Sequence, residues 1–282
     1  MTRVCMLEIE NPLCVRRTFS FCEALFERRV EVEGVVATLV RDRAELVEAW
    51  DRKQIGVLVD PAWKIIDELS PDVVIDAVLA KRNLGTRKDE APVVIGVGPG
   101  FSAPDTVHAV IESNRGPNLG RTIYRGASEP YTGVPAVKAG FSWDRVLRAP
   151  HAGMVRLVKS IGDPAKAGDV ILYVDATPVR AAIDGITRGV IREIRVRENE
   201  KVGDIEPTID TSCCWTISDK ARAIGNGGLE AVRNLIRIRK TSISREEGVR
   251  QWLLVVSRMQ PIRQARRIAF LPPTSSWRRW PT

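Results

Sequence analysis

At 282 residues the chain is long enough to bury a sizeable core and to form two domains. Its 44% hydrophobic content is that of an ordinary globular protein, and its net charge of +8 is unevenly placed. Residues 241–282 carry eight arginines against two glutamates, whereas the first 240 residues hold 35 basic and 33 acidic groups, which argues against a nucleic-acid-tracking face in the body.

The start, MTRVCMLEIENP, has charges where a signal peptide needs an apolar stretch, and the tail's longest apolar run, WLLVV, is too short to span a bilayer. Five cysteines, an odd number without metal-ligand spacing, suit a reducing cytoplasm. The expected location is cytoplasmic, with no membrane and no nucleic acid as partner.

In chain order, VCMLEIE predicts a strand ending in the acids Glu8 and Glu10. PLCVRRTFSFCEALFE predicts a helix capped by Asn11 with Pro12 in its first turn. RVEVEGVVATLV predicts a hairpin turning at Glu33-Gly34. A helix over RAELVEAWDRK, a strand over IGVLVD, a helix over PAWKIIDEL and a strand over DVVIDAVLA follow, then strands over APVVIGVG and TVHAVIE. Continuous apolar runs of this kind suit a parallel sheet covered on both faces. The expected fold is α/β: a Rossmann-like, mostly parallel sheet over residues 1–143, its first βα unit missing because the opening strand already ends in acid.

Residues 144–207 contain an imperfect repeat: RAPHAG returns as RAAIDG, and KAGDVI as KVGDIE. Short β runs divided by turn glycines suggest a small all-β unit resembling the biotinyl/lipoyl-like domain, or barrel-sandwich hybrid. The stretch YVDATPVRA, where carrier members of that family have a lysine, has none, so no swinging arm is expected. Residues 208–240 predict a strand and a C-terminal helix. The basic segment 241–282 lacks sustained periodicity and is expected to pack poorly or to be non-native.

Strand ends at one rim of an open α/β sheet are where ligands bind. Lys81, Arg82, Asn83 and Thr86 follow one buried strand, and the glycine turn Gly98–Phe101 follows the next. Backbone N–H groups of Gly98, Gly100 and Phe101 with these cations would suit a phosphate-bearing anion. The turn matches neither a Walker loop nor a G-x-G-x-x-G fingerprint. Alternation places His108 and Glu112 on one side, with Asn114 and Arg115 beyond them. His108 is the candidate proton carrier, no catalytic residue is assigned, and no third ligand supports a metal site.

The ordered segments VDPAWKIIDELSPDVVIDAVLAKRNLGT, APVVIGVGPGF, VHAVIESNRGPNLGR, EPYTG, FSWDRVLRAP, KVGDIEP and TISDKARAIGNGGLEAV resemble the accessory proteins of selenium-dependent molybdenum hydroxylases, over roughly residues 3–236. Three features depart from that family: no GxGDLA-type turn precedes the first strand, Pro117 stands in place of a histidine, and the tail beyond residue 240 has no counterpart. The resemblance implies a maturation factor for such a hydroxylase that binds a molybdopterin-type cofactor or a nucleotide, partnered by the hydroxylase or its maturation machinery. The alternatives are a nucleotide-dependent oxidoreductase or transferase acting on the molybdenum cofactor, and a protein–protein scaffold.

Overall fold

The computed structural model describes residues 3–135, 137–242 and 252–256. The first strands are β1 (Arg3–Glu8), β2 (Arg29–Val32), β3 (Val35–Val40), β4 (Ile55–Val59), β5 (Val73–Asp76) and β6 (Val93–Val97), the last four rich in β-branched residues. Short strands β7 (Ser102–Ala103), β8 (Ala109–Ile111), β9 (Thr122–Ile123) and β10 (Gly126–Ala127) follow. The helices between them are α1 (Ala24–Glu27), α2 (Arg43–Asp51) and α3 (Ile65–Leu69). Asp42 caps α2 by accepting the Glu45 N–H at 2.9 Å, the role of an acidic residue before a first helical turn.

Beyond residue 145 come β11 (Val146–Arg148), β12 (Gly153–Leu157), β13 (Pro164–Ala165), β14 (Val170–Val174) and β15 (Thr177–Arg180). Next are β16 (Gly185–Val190), β17 (Arg195–Val196), β18 (Lys201–Glu206), α4 (Asp219–Ser242) and β19 (Trp252–Val256).

Nine strands form one sheet in the order β2-β3-β4-β1-β19-β5-β6-β8-β9. Its middle is parallel, while β2 and β9 run antiparallel at the two edges. Every residue of β6 and β8 is buried. One face packs Leu7, Val94 and Val110 beneath Leu46 of α2 and Ile65 and Ile66 of α3. The other packs Val93, Ile95 and Ile111 against Ile224, Ala231 and Leu235 of α4. Residues 146–206 form two four-stranded antiparallel sheets, β11-β18-β16-β13 and β15-β14-β12-β17, with Ile171, Leu172, Ile191 and Ile205 fully buried around them.

The fold expected from the sequence is corrected in both halves. A Rossmann-like sheet needs a crossover helix for each parallel connection. Here β6 reaches β8 without one, α1 and α3 are four and five residues long, and hairpin turns set antiparallel strands at both edges. The sheet is mixed. The later strands are not a self-contained biotinyl/lipoyl-like barrel either. They form two sheets whose core recruits Leu13, Val15 and Cys214 from outside residues 144–207. That recruitment also explains residues 12–27, which form two 3₁₀ turns and α1 rather than one helix. Burying Leu13 and Val15 under the second unit draws the chain away from a helical path.

Part of the segment expected to pack poorly is β19, which lies between β1 and β5. Residues 243–251 and 257–282 lie outside the described residues. No helix among the described residues is long and apolar enough to cross a membrane.

Candidate functional site

Because β5, β6 and β8 are parallel, the loops that follow them emerge at one rim. The turn after β6 presses on the loop after β5: a Cβ added at Gly100, whose φ is +113°, would lie 2.5 Å from the Arg82 carbonyl carbon. Only glycine tolerates that approach. Lys81 itself sits in the left-handed region at φ +64°, a conformation an ordinary side chain adopts only when its surroundings impose it. Its ammonium lies 4.9 Å from the ring centre of Tyr131.

At this rim a cleft of about 840 Å³ opens between the large sheet, the second unit and the loop spanning 130–138. Nine basic side chains line it, against the acids Glu129 and Asp219. Lys81 and Arg115 come from the sheet rim, Arg16 from the segment after β1, and Lys220 from the first turn of α4. The second unit supplies Arg145, Arg148, Arg188 and Lys201, and the loop supplies Lys138.

The carboxylates are already in use. Asp219 takes both arms of Arg115, at 2.6 and 2.7 Å. Asp204, 2% exposed, holds Arg16 at 2.8 Å and Lys201 at 2.7 Å. Glu206, fully buried, holds Lys138 at 2.7 Å and Arg188 at 3.3 Å. Lys81, Arg145 and Lys220 have no ion-pair partner among the described residues. The Nε atoms of Arg16 and Arg145 are buried without a hydrogen-bond acceptor.

The electrostatics agree with this count. Burial, then the like charges of Lys81, Arg115 and Arg16, hold the Lys220 amine below its ordinary value. Burial lowers Lys201 as well, although Asp204 opposes it. Burial works against the Asp204 carboxylate, yet Lys201 and Arg16 outweigh it and keep that carboxyl well below its usual range.

The cleft brings together only some of the residues the sequence singled out. Lys81, Asn114 and Arg115 line it. Asn114 donates its side-chain N–H to Glu129 at 2.6 Å, and its backbone N–H to the buried Glu112 at 2.6 Å. Glu112 also accepts the Glu129 N–H at 2.7 Å, so it ties the two ends of a loop together.

The other candidates do not line the cleft. Asn83 folds back on its own loop: its Oδ1 accepts the Gly85 and Thr86 N–H groups at 2.8 Å. Thr86 is buried and donates to Asp76 at 2.5 Å. Phe101 is buried beneath Gly96, and the Gly98 N–H is spent on the Ile111 carbonyl at 2.8 Å. The Gly98 N–H is thereby engaged within the turn, and the Phe101 ring is committed to the core. Arg82 is exposed and does not line the cleft.

His108 lies elsewhere, in a shallow cavity with Lys88, Glu90 and Arg239. Its Nδ1 accepts the Val94 N–H at 2.9 Å, which leaves the proton of the neutral ring on Nε2. Burial, with Lys88 and Arg239, holds its pKa below the ordinary value. Nδ1 is thus engaged, which leaves the Nε2–H of the neutral ring to donate a hydrogen bond. Among the described residues no group of three or more potential ligands could hold a metal ion.

No protein-family model matches the chain. A curated relative, the uncharacterized protein YqeB of Escherichia coli (strain K12), is 46% identical over 235 residues. The match covers 83% of this chain and 43% of that protein, so the chain spans less than half the length of the relative. Among solved structures, the product-bound ectoine utilization protein EutE (DoeB) of Ruegeria pomeroyi is 9% identical with a TM-score of 0.23. That similarity covers 73% of this chain and 86% of the other. An aspartoacylase family protein of Mesorhizobium loti is 11% identical with a TM-score of 0.25, covering 72% and 84%. At these TM-scores neither likeness carries an argument about fold or chemistry.

The curated relative is described as uncharacterized and not as a molybdenum hydroxylase accessory protein, and the resemblance read from the sequence segments is corrected accordingly. The maturation-factor function falls with it, as do the selenium-dependent hydroxylase as context and the alternatives of a molybdenum-cofactor oxidoreductase or transferase and a scaffold.

Proposed function

We propose that the protein binds a small, multiply charged anion, bearing phosphate or carboxylate groups, in the cleft between the large sheet and the second unit. The observation that carries this reading is the charge imbalance. Counting Glu112, Asp204 and Glu206 behind the wall, nine cations meet five carboxylates. Cations concentrated at low dielectric repel one another, and an anion relieves that repulsion. The cleft volume lies within the range of small-molecule sites, roughly 300–1,000 Å³. The free thiols of all five cysteines support a cytoplasmic location.

Titration calorimetry at low salt with inorganic pyrophosphate and with citrate tests the reading. Binding is expected, weakened about tenfold for each charge removed in Lys81→Ala and Arg145→Ala, and weakened further by added salt. No heat with either anion, or unchanged affinity in the double variant, would sink it.

A further inference from the structure

Four lysines line the cleft, and they differ in what stabilises their charge. Lys138 and Lys201 are paired with carboxylates, and Lys81 lies over an aromatic face. Lys220 has none of these. The neighbouring Asp219 has both oxygens held by Arg115. Its place in the first turn of the 24-residue α4 adds the positive end of a long helix. The charged groups acting on it are Lys81 from the loop after β5, Arg115 and Glu112 from the end of β8, and Arg16 from the segment after β1; Glu112 alone favours the ammonium. A half-buried amine set among cations is the environment in which a lysine becomes a nucleophile near neutral pH.

Resting on the anion-binding reading of this cleft, we propose that Lys220 condenses with the carbonyl carbon of an anionic aldehyde or keto acid. The substrate's charged group sits against Arg16 and Lys81. The Nζ lone pair forms the C–N bond while the carbonyl π pair moves to oxygen. The two amine protons leave with that oxygen as water, and an imine remains. No oxidant or reductant is needed.

Borohydride trapping at pH 7 followed by peptide mapping tests this, with pyridoxal 5′-phosphate as the anionic aldehyde and pyridoxal as its neutral counterpart. Lys220 should be labelled about tenfold faster by the phosphorylated probe than by pyridoxal, and about tenfold faster than the exposed Lys166. Inorganic pyrophosphate should slow the labelling. Lys220→Arg should lose the label while keeping the circular dichroism spectrum of the parent.

Label spread over surface lysines, or concentrated on Lys81, in a protein that binds pyrophosphate would overturn the assignment of Lys220 and leave the anion site standing. Absence of both pyrophosphate binding and protection would overturn the anion reading, and this inference with it.

Discussion

At Asp204 a carboxylate 2% exposed meets Arg16 and Lys201, and one of its oxygens, Oδ1, has no hydrogen-bond donor. Removing its charge would leave two cations facing Arg145 without compensation. Loss of one partner from a buried pair destabilises by roughly 3–5 kcal/mol, and partial exposure of Arg16 and Lys201 sets Asp204→Asn near the lower bound, about 3 kcal/mol. The carboxyl is held below its ordinary value in the folded state. Its contribution is therefore complete above the unfolded aspartate pKa of about 4 and is lost as pH falls below it. Urea unfolding should show a larger gap between parent and variant at pH 7 than at pH 3. An equal gap at both would show that Asp204 acts through packing alone.

At the scale of elements, the seating of α4 depends on backbone proximity. A Cβ on Gly227 would lie 2.0 Å from the Gly120 carbonyl oxygen, so the helix rests directly on the loop that carries Gly120. The Thr122 hydroxyl reaches the Gly227 carbonyl at 3.1 Å from the same side. Gly225, one turn face away, has open space around it. Helix propensity alone would stabilise either position by about 1 kcal/mol on replacement with alanine. The geometry separates them. Gly225→Ala should raise the urea midpoint, whereas Gly227→Ala should lower it, by roughly 1–3 kcal/mol of overpacking. Gains at both positions would mean that α4 does not sit this close, and the placement of Lys220 at the cleft would go with it.

For the molecule as a whole, β19 is the strand that makes one sheet of two halves. It pairs in parallel with β1 from Arg3↔Trp252 to Leu7↔Val256, and with β5 from Leu253↔Val73 to Val256↔Asp76. Strands β2, β3, β4 and β1 lie on one side of it, and β5, β6, β8 and β9 on the other. A proline inside a central strand removes a ladder hydrogen bond and clashes with its neighbour. Leu254→Pro, opposite Cys5 and Val74, should therefore lower the thermal midpoint steeply, by about 3 kcal/mol or more in stability. Little change in that midpoint would show that the sheet does not depend on β19.

The strands of the large sheet are legible because their composition is local. Val93–Val97 is apolar at each side-chain position, and Glu33-Gly34 turns a hairpin with both residues at positive φ. The rule that ligands gather at strand ends also leads to Lys81, Asn114 and Arg115. The rest of the cleft is not written in any one stretch. Arg16, Arg145, Lys201 and Lys220 are far apart in the chain and lie beside ordinary residues, and only packing of the second unit and α4 against the sheet rim brings them together. Gly98 and Gly100 signal close approach, but the sequence does not say to what; added Cβ atoms there would meet the chain's own Ser113 and Arg82. WLLVV likewise has the composition of a strand without any sign of where it belongs. Periodicity reports how a segment hides its apolar side chains. Which segments lie next to one another is decided by complementary surfaces and unpaired strand edges, which exist only once the chain has folded.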